Sequence, residues 1–268
     1  MVLPWLIVQY DNRKVDKKLQ KLVERNKQYA QKHDYEYIFE TKTYDLPPWW
    51  IKVKLVQEKL LTNKYKGILW LDTDATVYNI DKSLYEIILP GKSFYFSPDC
   101  PRNGIAPFNA GVWLVINDTN GKNIMDTWIH MYNPADWHIS FGKWVTSGIW
   151  AGSSYEQGAF KDKIIPVYNS YIHQYDWTFL QSYYISNSKS DIFTVHFAWD
   201  LKNLFLDDFL KKIRPKYNYI YLVLLCLLFL YLLFLCLLLF NLNSKYINPI
   251  SRFFKNATNS LSSYMTKY

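Results

Sequence analysis

The stretch GILWLDTDATVYN, Gly67 to Asn79, runs an apolar segment straight into two carboxylates, Asp72 and Asp74. Two hard carboxylate oxygens at that spacing suit Mg²⁺ or Mn²⁺. The apolar residues ahead of them read as a short, fully buried strand, and open α/β sheets place their ligands beyond the carboxyl ends of such strands. The same pair also reads as capping or solvated turn aspartates, and this stretch alone does not separate the two. A similar spacing, Asp34-Tyr35-Glu36, reads as accidental.

A site at a strand end needs a sheet behind it, and the preceding sequence supplies one. Pro4 to Tyr10 reads as a first strand. Val15, Leu19, Leu22, Val23, Tyr29 and Ala30 form one apolar face of a helix running to about His33. Tyr35 to Glu40 reads as a second strand, and Pro47 to Asn63 as a helix opened by proline. Strand, helix, strand, helix, strand is the order of an α/β domain with a parallel sheet.

The chain has 268 residues, a net charge of +8, 19% aromatic residues and three cysteines. That length holds one sizeable domain with an appendage. The basic balance favours anionic partners such as phosphates, nucleotides or acidic lipid heads. No nucleic-acid module is present, nor a basic stripe interleaved with aromatics, which argues against nucleic acid. The aromatic content suits a sugar-handling surface, and equally an aromatic-rich core. Cys100, Cys226 and Cys236 give neither a disulfide framework nor a zinc site.

The run Tyr219 to Phe240 has no charge, no glycine and no proline. As a helix, roughly 22 residues at about 1.5 Å each span about 33 Å, a bilayer's hydrocarbon thickness. It predicts a single C-terminal transmembrane helix, with Tyr217, Tyr219 and Tyr221 at the interface. The N-terminal segment reads as a strand and not as a signal peptide. The expected organisation is a globular domain over 1–212, a basic flank and membrane helix over 213–242, and a short polar tail over 243–268. Lys211, Lys212, Arg214 and Lys216 outnumber Lys245, Arg252 and Lys255 on the far flank, so the globular domain is expected to face the cytoplasm. A Golgi or endoplasmic-reticulum lumen is the alternative, under which the sequon Asn256-Ala257-Thr258 would matter.

Six segments in order carry a resemblance: PWWIKVKLVQEKLL, GILWLDTDATVYN, FNAGVWLVIND, YEQGAF, IIPVYNSYIH and TVHFAW. Together they resemble the landmarks of glycosyltransferase family 34. The resemblance implies a GT-A fold, a mostly parallel Rossmann-like sheet with flanking helices. It also implies metal-dependent, anomer-retaining transfer of galactose, xylose, glucose or mannose from a nucleotide-sugar, foremost a UDP-sugar, to a glycan or glycoprotein. By the family pattern, Asp74 and His196 ligate Mn²⁺, with Mg²⁺ as the alternative, and Asp72 serves the metal, the donor ribose or both. Lys52 stands near the diphosphate. Gln9, Tyr10 and Asn12 follow the first strand, where nucleobase and ribose are expected. Asn109 is placed to bond donor hydroxyls, with Ala110 and Gly111 leaving room for the sugar. Glu156 and Gln157 match the acidic-amide pair at the anomeric centre and are the catalytic candidates.

The sequence departs from the family after HFA, where a glycine is usual and Trp199 stands here. Two other readings compete. Asp72-Thr73-Asp74-Ala75-Thr76 also fits the signature of haloacid-dehalogenase-like phosphatases, with Asp72 as nucleophile and Asp207-Asp208 as a later acidic pair. That family puts its nucleophile on the first strand, which ranks the reading second. The other is an inactive, membrane-tethered glycan-binding module.

Overall fold

The computed structural model describes residues 3–99, 106–183, 191–213, 223–236 and 256. Its first strand, β1 (Trp5–Tyr10), is buried on both faces. Trp5 and Ile7 enter one core while Leu6 and Val8 enter another, as the period of two requires. Helix α1 (Lys17–Lys32) is capped by the Asp16 carboxylate, which accepts from the amides of Lys18 and Leu19, and it buries Leu19, Leu22, Asn26, Tyr29 and Ala30. Strand β2 (Glu36–Glu40) follows. Helix α2 (Pro48–Leu61) opens with proline in its first turn and packs on the opposite face through Trp50, Val53, Val56 and Leu60. Strand β3 is Gly67–Leu71, as the sequence predicts, and all five residues are buried.

Beyond β3 lie β4 (Ala75–Val77), β5 (Phe94–Phe96), β6 (Val112–Ile116) and α3 (Thr119–His130). A hairpin of β7 (Trp137–Ser140) and β8 (Lys143–Thr146) comes next. Then come α4 (Glu156–Ala159), a widened π turn over Phe160–Ile164, α5 (Ile165–Tyr168), β9 (Ile172–Gln174), α6 (Trp177–Leu180), β10 (Thr194–His196) and α7 (Leu201–Lys212). Six strands form the central sheet in the order β2-β1-β3-β6-β5-β9. Five run the same way and β6 is reversed, so the sheet is mixed and mostly parallel. The reversal has a consequence for the site. It sets the start of β6 against the end of β3, with Leu71 opposite Val112 and the Asp72 amide donating to the Gly111 carbonyl at 2.7 Å.

A second, two-stranded sheet pairs β10 antiparallel to β4 and places His196 opposite Ala75, the residue after Asp74. The Phe197 amide donates to the Asp74 carbonyl at 2.9 Å. A histidine more than a hundred residues away in sequence is thereby clamped beside the second aspartate.

The chain divides into two units, Met1–Lys212 and Ile213–Tyr268. In the second, residues 223–236 are helical with apolar side chains exposed throughout. Among the described residues no helix is long and apolar enough to cross a membrane. The ends of the run predicted to span, 219–222 and 237–240, lie outside the described residues. So do Cys100, the basic residues from Arg214 outward and all of the sequon except Asn256.

Candidate active site

Asp72 and Asp74 leave the end of β3 in a tight turn, closed by the Ala75 amide donating to the Asp72 carbonyl at 2.9 Å. Asp72 is fixed from three sides. The indole of Trp70 donates to its Oδ1 at 2.8 Å, and the Lys52 ammonium donates to both oxygens at 2.8 and 3.1 Å. From behind, Gln9 Nε2 donates to its main-chain carbonyl at 3.2 Å. Asp74 meets His196 Nε2 at 3.3 Å and Lys202 Nζ at 3.2 Å. Burial opposes ionisation of Asp74, but the hydrogen bond and charge of His196, helped by Lys202, outweigh it and hold the carboxyl below the usual range.

One ligand atom from each of Asp72, Asp74 and His196 lies within 4.8 Å of the others, a group that could hold a metal ion. Two carboxylates and one imidazole form a donor set that suits a divalent first-row ion. The chain also prepares the imidazole for that task. His196 Nδ1 lies 2.7 Å from Gln181 Oε1, while Gln181 Nε2 donates to the carbonyls of Asn109 and Val112 at 3.4 and 3.3 Å. The amide is therefore oriented with its oxygen toward His196. An acceptor there keeps the proton on Nδ1 and leaves Nε2 facing Asp74.

Helix α4 brings in the acidic-amide pair. Glu156 is buried, and its Oε1 lies 3.7 Å from Lys52 Nζ. Among the described residues its Oε2 has no hydrogen-bond partner. Burial pushes its pKa up to about 7, with Lys52 opposing and Asp72 adding to the rise. Lys52, though buried, stays cationic: desolvation alone would lower its pKa, but the charges of Asp72 and Glu156 reverse the direction. Gln157 Oε1 accepts from the Ala110 amide at 3.1 Å, which ties α4 to the Asn109–Gly111 turn.

That turn backs the site. Asn109 Oδ1 accepts from the Gly111 amide at 2.8 Å, and the Ala110 carbonyl accepts from Lys52 at 3.2 Å. A Cβ at Gly111 would stand 2.2 Å from His196 Cε1, so the missing side chain makes room for the imidazole. Sequence reasoning reserved that space for the donor sugar.

A cleft of about 320 Å³ opens beside these groups, lined among others by Tyr10, Asn12, Lys52, Asp72 and Asp74, while Asn109, Ala110, Gly111, Glu156, Gln157 and His196 lie outside its lining. Gln9 is not among its lining residues. It is fully buried, and its Oε1 accepts from Asn26 and Tyr37 at 3.0 and 2.8 Å, so its amide is committed to holding the Asp72 backbone. Tyr10 and Asn12 line the cleft as expected. Three charged lining residues escaped the sequence reading: Asp11, Arg13 and Lys202. Arg13 grips the Asp11 carboxylate with two bonds of 2.9 Å. Lys202 lies six residues past His196, and Gln181 in an unremarkable helix end; neither belongs to a recognisable motif. Asp207 and Asp208, the acidic pair of the phosphatase reading, instead bond Lys18 and Lys211 on the exposed face of α7.

A mostly parallel sheet carries a carboxylate pair at the end of its buried third strand, and a distant histidine closes a group that could hold a metal ion. In sequence, residues 2–95 match the model of the galactosyl transferase GMA12/MNN10 family, glycosyltransferase family 34. The chain is similar in fold to a glycosyltransferase involved in glycosylation of the major capsid of PBCV-1, at 18% identity and a TM-score of 0.58, covering 78% of this chain and 99% of that one. Weaker likenesses are to the glycosyltransferase GlyE of Streptococcus pneumoniae (12% identity, TM-score 0.45, covering 78% and 64%). A third is to the catalytic domain of Drosophila β1,4-galactosyltransferase 7 with xylobiose (12% identity, TM-score 0.42, covering 74% and 72%). No curated protein matches the sequence.

Proposed function

We propose that this enzyme transfers a hexose or pentose from a UDP-sugar to a glycan or glycoprotein acceptor, with retention at the anomeric carbon and with Mn²⁺ as the cofactor (Mg²⁺ is the alternative). The observation that carries this reading is the Glu156–Lys52–Asp72 chain beside the Asp74–His196 pair. It joins a buried carboxylate with one free oxygen, a buried cation and a metal-ligand group in one place.

The roles follow from charge. In the transfer, the bond from the anomeric carbon to the phosphate oxygen breaks with its electron pair on the diphosphate. An acceptor hydroxyl oxygen bonds to that carbon, and its proton passes to the departing phosphate. Asp72, Asp74 and His196 would hold a divalent ion, which would supply neutralisation of the diphosphate's growing charge. Lys52, Lys202 and Arg13 add fixed positive charge around the same cleft. Glu156 faces the positive charge that develops on the sugar, and its deprotonated form stabilises it. Gln157 holds the Ala110 turn in register with α4. Tyr10 and Asn12 hold the nucleoside, with Asn109 toward the donor hydroxyls.

The exposed apolar helix of residues 223–236 supports the further proposal that 219–240 anchors the protein in a membrane by a single span. The basic cluster on its N-terminal side supports a catalytic domain facing the cytoplasm.

The test is nucleoside diphosphate release from UDP-galactose, UDP-xylose, UDP-glucose and GDP-mannose, with Mn²⁺ or with chelator. Release from one donor, lost with chelator and in Asp74→Ala, is the expected result. No release from any donor, accompanied by phosphatase activity on a simple phosphoester, sinks the proposal. Sugar binding that is indifferent to Asp72→Ala and Asp74→Ala marks a binding module instead.

A further inference from the structure

Trp199 combines two unfavourable features. Its backbone sits at φ 56°, the left-handed region that a bulky side chain rarely adopts, and its side chain is 65% exposed. Strain held at an exposed aromatic, with no burial to offset it, points to a task. The ring is not isolated. It meets Trp150 edge to face, with centroids 5.2 Å apart and planes at 88°. Trp150 is itself 52% exposed, and the next residue, Ala151, also has a positive φ of 56°.

This right-angled corner is wired to the catalytic groups on both sides. Trp150 packs on Trp49 at 5.8 Å and on Tyr155 at 4.9 Å. Trp49 lines the cleft with Asp72 and Asp74, and Tyr155 immediately precedes Glu156. Trp199 lies three residues from His196 and three from Lys202, and both of those reach Asp74. The indole of Trp50 donates to the Ser154 carbonyl at 2.9 Å and that of Trp137 to the same carbonyl at 3.2 Å, which steadies the loop bearing Trp150.

We propose that Trp150 and Trp199 form the acceptor platform, two exposed indoles set at a right angle that receive a pyranose ring of the acceptor glycan at the mouth of the cleft. Pyranose C–H faces pack on aromatic faces, and two rigid side chains with few rotors offer that surface at low entropic cost. Continuity with the donor cleft through Trp49 and Lys202 indicates a sugar over a lipid or a protein. The inference rests on the transferase reading and names its second substrate.

The test uses the full chain in a polyoxyethylene detergent with Mn²⁺, the donor that gives diphosphate release, and cellobiose, xylobiose and α-1,2-mannobiose as acceptor probes. Trp199→Gly relieves the left-handed strain, so its unfolding midpoint does not fall below the wild type's. The expected result is that Trp199→Gly and Trp150→Ala each raise the KM of the accepted disaccharide by about tenfold, while Trp199→Phe stays within about twofold. The Kd for the nucleoside diphosphate keeps the wild-type value in all three. Unchanged acceptor KM in Trp199→Gly and Trp150→Ala overturns the platform, as does a wild-type enzyme that turns over donor but responds to none of the disaccharides. Absence of diphosphate release by the wild type removes the transferase reading itself, and the platform with it.

Discussion

Lys52 Nζ donates to both oxygens of Asp72, at 2.8 and 3.1 Å, while standing 3.7 Å from Glu156. One buried cation on α2 thus joins the carboxylate at the end of β3 to the carboxylate on α4. Removing it leaves the buried Glu156 and the part-exposed Asp72 with nothing between them. Lys52→Met is expected to cost roughly 3 kcal/mol of stability, in the range for breaking a buried pair by deleting one partner. Urea unfolding reads the loss. An unchanged midpoint shows that the pair is not coupled as described.

Glu156 gives the clearest pH dependence. Its folded pKa is pushed up to about 7 by burial, against an ordinary carboxyl value near 4.5. Between those values the folded state binds the extra proton, so stability falls as pH rises across that window. The unfolding free energy of Glu156→Gln relative to wild type is therefore expected to grow by roughly 2–3 kcal/mol between pH 4.5 and pH 8. If the carboxylate form stabilises the transition state, kcat also rises with pH through an apparent pKa near 7. Glu156→Gln loses that limb. A wild-type profile flat from pH 5.5 to 8 contradicts the assignment.

Gln181 acts through His196. Gln181→Met removes the acceptor that keeps the proton on Nδ1, and the imidazole loses its preferred tautomer. Outer partners of this kind are worth roughly 10–100-fold in metal affinity. Mn²⁺ titration followed by electron paramagnetic resonance is expected to show a weakening of that order. Wild-type affinity in the variant would falsify the positioning role.

Gly111→Ala tests the crowding behind the metal group. The added methyl meets the imidazole at 2.2 Å, where real contacts do not occur, so His196 must move or the turn must open. The expected outcome is loss of Mn²⁺ binding with secondary structure by circular dichroism retained. If binding persists, the ring has room that the geometry denies.

The mostly parallel sheet was legible in the order of the first five segments, because each kept its own periodicity and its own start signal. The proline opening α2 and the uninterrupted apolar run of β3 fall where the sequence places them. Less was legible after Leu71. The sequence puts Asp72 and Asp74 at a strand end on its own terms, since burial of GILWL forces the polar residues outward. It does not say that β6 runs backwards, and this reversal is what brings the Asn109–Gly111 turn onto Asp72.

His196 and Glu156 were nameable from a resemblance, as were Asp74 and Lys52 beside them, but Gln181 and Lys202 were not. Gln181 is found only through the carbonyls of Asn109 and Val112 that orient it, and Lys202 only through the turn that carries α7 away from β10. Gln9 shows the opposite case, a polar residue at a strand end whose amide is consumed by Asp72, Asn26 and Tyr37. Local patterning therefore determined the elements and the chemistry of the exposed carboxylates, because periodicity and residue type are properties of neighbours in sequence. Tertiary structure decided which buried groups share a charge, which amide sets a tautomer and which exposed tryptophan carries a strained backbone. Those depend on contacts between segments up to a hundred residues or more apart, whose pairing no single segment encodes.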